Sequence, residues 1–113
     1  MIQVFHNPRC AKSRSCLAFL EETGKKFEII QYLHEVPTFE SLQSIIIKLG
    51  LPPIGLIRSN EKIWIENYKG KTWSDIEIIE AMVKHPILIE RPIVINGDRA
   101  IIARPTEKVS EIL

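Results

Sequence analysis

At 113 residues and 45% apolar side chains, the chain is the length of one domain and can bury a core without metal or disulfides. Charged residues make up 26% of it and leave a net charge of +1. That balance argues against nucleic acid or a membrane surface as the main partner, since both reward a basic excess. No apolar run approaches the roughly 20 residues of a membrane-spanning helix. Met1-Ile2-Gln3-Val4-Phe5 lacks the basic-then-apolar character of a signal peptide, so a cytoplasmic location is expected. In that compartment two cysteines are more often catalytic, metal-binding or inert than joined in a structural disulfide. Cys10 and Cys16 have no CxxC or HxxxH partner set and His6, His34 and His85 are scattered, so no metal site is expected.

Ile2 to Phe5 reads as a short strand, broken by His6-Asn7-Pro8-Arg9. A helical stretch runs from Cys10 to about Glu22, with Leu17, Phe19 and Leu20 apolar and Gly24 as C-cap. Phe27 to Gln31 suits a second strand. Thr38 is placed to cap the next helix, in which Phe39, Leu42, Ile45, Ile46 and Leu49 recur at helical spacing before Gly50. A turn follows at 51–55, and residues 56–72 carry no clear period. Ser74 with Glu77 forms a capping box for a helix over Asp75 to Lys84, whose apolar face is read as Ile76, Ile79, Met82 and Val83. Ile93-Val94-Ile95 and Ala100 to Ala103 flank Asn96-Gly97-Asp98, a hairpin signal in which Asn-Gly supplies positive φ angles. Pro105, at a helix N1 position, opens a short terminal helix carrying Val109 and Ile112. Strand, helix, strand implies a crossover to a parallel neighbour, and the hairpin adds antiparallel strands. The layout is that of a thioredoxin-like α/β domain with a helical insertion.

The chemistry concentrates in His6-Asn7-Pro8-Arg9-Cys10-Ala11-Lys12-Ser13-Arg14. A cysteine between a strand end and the first turn of a helix meets unpaired backbone N–H groups and the positive end of the helix dipole. A thiolate there is stabilised, and the same helix end binds an oxyanion. Lys12, Arg14 and His6 are candidate cations beside it, and the Ser13 hydroxyl is free to turn towards the sulfur. The plainer reading of Cys10, a small residue at a helix start, sits poorly with cysteine's weakness as a cap. Cys16 lies roughly 240° around the same helix, beside Leu17 and Phe19, and reads as a buried core thiol. His6 could equally cap the turn or face solvent.

The His-Asn-Pro-x-Cys-x-x-Ser-Arg run resembles, at every fixed position, the motif of the glutaredoxin-coupled arsenate reductase family, the ArsC family of the thioredoxin fold. The resemblance spans the chain through Leu56-Ile57-Arg58, Glu90-Arg91-Pro92-Ile93 and Ala103-Arg104-Pro105. It implies one domain over residues 1–113, of glutaredoxin type: a three-layer α/β fold with a mixed sheet of about four strands. It implies Cys10 as the nucleophile that attacks arsenic, helped by His6 and Ser13. Arg58, Arg91 and Arg104 would grip the oxyanion, with Asn7, Lys12 and Arg14 in support and Pro92 as the cis-proline opposite the cysteine. Guanidinium suits the task because it is planar, always charged and offers paired donors. Local reasoning alone gives Arg58 no special weight, whereas Arg91 and Arg104 flank the hairpin and are brought together by it. The resemblance further implies no bound cofactor, glutathione as co-substrate and a glutaredoxin as partner. Two other readings stand beside it. One is a redox regulator of the Spx type that binds RNA polymerase, which Ser13 in place of a second switch cysteine disfavours. The other is a glutathione-dependent thiol-disulfide reductase, which would need no anion clamp.

Overall fold

The computed structural model describes all 113 residues. Four strands, β1 (Ile2–Phe5), β2 (Phe27–Ile30), β3 (Ile93–Asn96) and β4 (Arg99–Ile102), form one sheet in the order β2-β1-β3-β4. Strand β1 pairs parallel to β2 and antiparallel to β3, and β3 pairs antiparallel to β4. The helices are α1 (Ala11–Thr23), α2 (Phe39–Leu49), α3 (Lys62–Asn67) and α4 (Asp75–Lys84), with short 3-10 turns at Pro53–Leu56, Pro86–Leu88 and Thr106–Glu111. The fold is therefore mixed α/β, with the expected helical insertion between β2 and β3. It divides into two compact units, one of residues 1–35 and 91–113 and the other of residues 36–90.

The first unit holds the sheet, α1 and the terminal 3-10 turn. Ile2 and Val4 of β1 and Val94 of β3 point to one face, where they pack with Cys16 and Leu20 of α1 and with Ala103, Val109 and Ile112. Alternation sends Phe5, Ile93 and Ile95 to the opposite face, where they are also buried. Phe5 stacks on Tyr32 with ring centroids 5.8 Å apart. One further parallel bond, from the His6 N–H to the Ile30 carbonyl at 2.9 Å, carries the β1–β2 pairing past the strand's last residue. The chain thus leaves β1 from a fixed point.

The hairpin differs in detail from its expectation. Asn96 pairs with Arg99, so the two-residue loop is Gly97-Asp98, and only Gly97 has positive φ (65°). A single positive angle at the first loop position is the II′ pattern, which demands glycine there and leaves Asn96 in the strand. Its amide is used instead to donate to the Ile112 carbonyl at 2.7 Å, tying the terminal turn to the sheet. Pro105 precedes the terminal turn as its N-cap rather than occupying N1, and the turn is 3-10 rather than α.

In the second unit, Thr38 caps α2 by accepting the Ser41 N–H, and Leu42, Ile45 and Ile46 are buried. Ser74 and Glu77 form both bonds of the capping box on α4. The buried residues of α4 are Ile78, Ile79, Ala81 and Met82, while Ile76 is exposed. The face is therefore rotated towards Ile78 relative to the expected one. Both Ile76 and Ile78 fit an apolar stripe, and only packing chooses between them. The segment without a clear period contains α3, whose six residues are too few for periodicity to show. Trp64 and Tyr68 stack at 5.2 Å, and Trp73 lies against Tyr68 at 5.1 Å while its indole N–H donates to the Tyr68 carbonyl.

Leu20 is fully buried in the sheet unit and Ile47 is largely exposed on α2. Leu20→Ala is expected to cost about 2–5 kcal/mol and Ile47→Ala to stay within about 0.5 kcal/mol of wild type. Equilibrium urea unfolding of the two variants checks the contrast.

Candidate active site

The loop after β1 is built by backbone geometry before any side chain acts. The Cys10 N–H donates to the Asn7 carbonyl at 3.0 Å, closing a turn in which Pro8 supplies a restricted φ. The Asn7 side-chain oxygen accepts the Arg9 N–H at 3.0 Å, bracing the same turn from within. Cys10 then stands as the extended N-cap of α1, with its carbonyl accepting the Arg14 N–H at 3.0 Å. Its side chain is half-buried.

This helix start inverts the rules that α2 and α4 obey. Both α2 and α4 have a hydroxyl cap and acidic residues in the first turn. The first turn of α1 has none, carries Lys12 and Arg14, and begins with a cysteine that makes no full capping bond. A missing cap costs about 1 kcal/mol, and each cation at the positive end of the dipole costs about 0.3–1 kcal/mol. Such a start suits an anion at the N-cap better than it suits the helix, and local rules tend to be broken where function is placed.

The sulfur of Cys10 meets that expectation. Burial pushes its pKa up, but the Ser13 N–H, a hydrogen bond and charge attraction from Arg91, and the Lys12 N–H outweigh it. The thiol therefore titrates below its ordinary range. Arg104 completes the surroundings: Nη2 lies 3.8 Å from Cys10 Sγ, and Nε donates to the Arg91 carbonyl at 2.8 Å. The sheet brings these groups together. Phe5 pairs with Ile93 and Ile93 with Ile102, so the exit of β1, the entry to β3 and the exit of β4 share one end. Pro92 follows Arg91 through a cis peptide bond, and its carbonyl accepts the Ala103 N–H at 3.0 Å.

Other predicted residues take different parts. The Ser13 hydroxyl is not the group that faces the sulfur. It is fully buried, accepts the Asn7 N–H at 3.1 Å and shares a 2.7 Å hydrogen bond with His6 Nδ1. Only its backbone N–H serves Cys10. His6 is buried rather than solvent-facing, and burial together with the Arg14 charge lowers its pKa. It is neutral at neutral pH and adds no cation to the site. Lys12 acts on the sulfur through its N–H, and its side chain is exposed. Arg14 turns back to donate to the Pro8 carbonyl at 2.9 Å. Cys16 is fully buried, and burial pushes its thiol up to about 11.

Arg58 belongs to the second unit. Its Nη1 donates to Glu90 Oε1 at 2.9 Å and its Nε to Glu61 Oε1 at 3.3 Å, and these carboxylates outweigh burial and raise its pKa. The Ile57–Ile89 bridge, with the Arg58 N–H on the Leu88 carbonyl and the Glu90 N–H on the Leu56 carbonyl, sets the two side chains side by side. Sequence reasoning missed both partners. Glu90 lay within the quoted Glu-Arg-Pro-Ile segment, whereas Glu61 lay in the stretch without a period. No group of three or more His, Cys, Asp or Glu is placed to hold a metal ion.

A sequence model described as the ArsC family matches residues 5–112. The chain belongs to the ArsC family. It is similar to an arsenate reductase of Haemophilus influenzae, at 43% identity over 97% of both chains. It is also similar to one of Neisseria meningitidis serogroup A, at 37% identity over 99% of this chain and 97% of the other. A solved structure of an arsenate reductase from Vibrio cholerae aligns with a TM-score of 0.95 and 40% identity, over 99% of this chain and 97% of that one. The thioredoxin-like α/β architecture of the ArsC family is thus the fold of this chain.

The two thiols of this ArsC-family chain should separate cleanly by pH. Thiolate, not thiol, reacts with alkylating agents, so Cys10 is modified at lower pH than an ordinary cysteine. Cys16 stays unmodified until pH nears its value of about 11 or the protein unfolds. Iodoacetamide labelling followed by peptide mass mapping across pH reads both. His6 carries a second sign. Its folded pKa lies below its ordinary 6.5, so the unfolded chain binds more protons beneath that pH and stability falls on acidification. His6→Gln should flatten this acid slope in urea midpoints measured between pH 7 and pH 5.

Proposed function

We propose that this chain is a cytoplasmic arsenate reductase, with the Cys10 thiolate as nucleophile and glutathione and a glutaredoxin as the external thiols. The observation that carries the reading is the convergence of two guanidiniums, Arg91 and Arg104, on a lowered-pKa thiolate at a helix N-terminus. Cations beside the sulfur lower the thiol pKa in disulfide reductases as well, but a reductase of neutral disulfides does not need guanidiniums to hold its substrate. A thiol that must attack a tetrahedral oxyanion does, because anion and thiolate repel until the charge is offset.

In the proposed cycle the arginines hold arsenate while Cys10 Sγ bonds to arsenic and one oxygen leaves as water. Glutathione condenses with this adduct, releasing a second water. A glutaredoxin thiolate then takes the glutathione sulfur as a mixed disulfide, and the two electrons freed reduce arsenic(V) to arsenic(III). Hydrolysis of the remaining sulfur–arsenic bond returns Cys10 and arsenite. The electrons come from the two external thiols, which suits a chain whose second cysteine is buried with a high pKa. Arg58 is proposed as a third guanidinium for the oxyanion, on the support of its Leu56-Ile57-Arg58 segment. His6, Ser13 and Asn7 act by holding the loop. No bound metal or cofactor, nucleic acid or membrane enters this reading.

The test is NADPH oxidation coupled through glutathione reductase, with arsenate, glutathione and glutaredoxin. Cys10→Ser should abolish arsenate-dependent turnover, and Cys16→Ser should keep most of it. Arg104→Ala and Arg58→Ala should each raise KM for arsenate at least roughly tenfold, the cost of a lost charge-assisted bond. An inactive wild type whose Cys10 still alkylates fast near neutral pH would remove arsenate and keep the reactive thiol. Lost turnover in folded Cys16→Ser would replace the external-thiol route with an internal disulfide.

A further inference from the structure

Arg14 stands where a helix gains nothing from a cation, in the first turn of α1 with no acidic neighbour to offset it. Its side chain is exposed, yet it does not extend into solvent. It folds back six residues and donates from Nη1 to the Pro8 carbonyl at 2.9 Å. That carbonyl lies inside the turn whose closing bond runs from the Cys10 N–H to the Asn7 carbonyl. The neighbouring residue makes a matching tie, since the Ser13 hydroxyl accepts the Asn7 N–H at 3.1 Å. Two consecutive residues of α1 thus grip two consecutive residues of the loop, one from the buried side and one from the solvent side.

We propose that Arg14 is a positioning residue for the nucleophile: its bond to Pro8, paired with the Ser13–Asn7 bond, straps the Asn7–Cys10 turn onto α1 and holds the Cys10 sulfur at the helix N-terminus. The proposal deepens the reading of Cys10 as a reactive thiol and does not depend on arsenate. The sulfur draws on the Ser13 and Lys12 N–H groups without a side-chain capping bond, so its thiolate character depends on the turn holding it at that height. The strap supplies that constraint from outside. It also explains why arginine fits here. A side chain leaving the first helical turn must reach back over the turn and present an N–H edge-on to a carbonyl, and the long, forked guanidinium does both. A second consequence follows from the charge. The groups facing His6 are the neutral Ser13 hydroxyl and the Arg14 cation, and that cation disfavours imidazolium. A protonated His6 would have to donate from Nδ1 and would forbid Ser13 from donating to it.

The experiment compares wild type, Arg14→Gln and Arg14→Lys by the pH dependence of Cys10 alkylation, with His6 titrated by NMR and unfolding followed by circular dichroism. Glutamine is too short for the strap and carries no charge. Lysine keeps the charge and reaches the carbonyl through one donor. For Arg14→Gln the alkylation midpoint should move to higher pH, with reactivity at pH 7 falling roughly three- to tenfold because less thiolate is present. The His6 midpoint should rise with it, while the unfolding temperature stays within about 3 °C, as expected for an exposed site. Arg14→Lys should hold His6 near its wild-type midpoint and recover most of the Cys10 reactivity. A Cys10 profile in Arg14→Gln that overlays wild type overturns the proposal. So does a loss of reactivity that tracks global unfolding, which would make Arg14 a stability residue. Arsenate is absent throughout, so failure here and failure of arsenate turnover are separate results.

Discussion

A slip of one residue in the β1–β3 ladder would turn Val4 and Val94 away from the helical face and would also part the groups at the sheet's end. With Phe5 opposite Ile93, the chain leaving β1 enters the His6–Cys10 loop beside the point where Arg91-Pro92 feeds β3. With Ile93 opposite Ile102, the chain leaving β4 delivers Arg104 to the same end. Register is set by burial: a one-residue slip of β1 would take Val4 out of the core beside α1 and set the polar Gln3 or the bulkier Phe5 in its place. The same constraint that forms the core therefore assembles the site.

What happens at that end is electrostatic. A thiolate in a half-buried position is costly, and burial is the largest single influence on Cys10. It is met by fixed donors: backbone N–H groups that have no other partner at a helix start, and guanidiniums that cannot lose their protons. None of these needs to move when charge develops on the sulfur or arrives with an anion, which is what makes such an arrangement effective. The histidine beside it has a different job. Kept neutral by burial and by Arg14, it holds a serine that holds the loop. Cys16, six residues away on the same helix, shows how far environment decides thiol chemistry. With no donor and no charge beside it in the apolar core, its pKa rises to about 11.

Much of this is legible in the sequence. Strands, capped helices and the hairpin follow from period, β-branching and cap residues, which are local properties of short segments. The nine-residue run around Cys10 declares a strand-to-helix junction with a thiol in it, and the reading of Cys16 as buried rests on its apolar neighbours. The six-residue α3, the choice of Ile78 over Ile76, and the II′ turn at Gly97-Asp98 escape such reading. Each depends on which alternative packs or closes best among options that look equal along the chain.

The sequence by itself determined the element order, the position of the nucleophile at a helix start and the family to which the chain belongs. The first two are written in spacing, which survives without coordinates, and the family in the resemblance of the run from His6 to Arg14. Only the tertiary structure decided the partners. It sends the Ser13 hydroxyl to His6 and Asn7 rather than to the sulfur, gives Arg91 and Arg104 to Cys10, turns Arg14 back onto Pro8, and seats Arg58 between Glu61 and Glu90. The reason is physical. A charged side chain is long and has many possible partners, and which one it takes depends on what the folded backbone brings within about 3 Å.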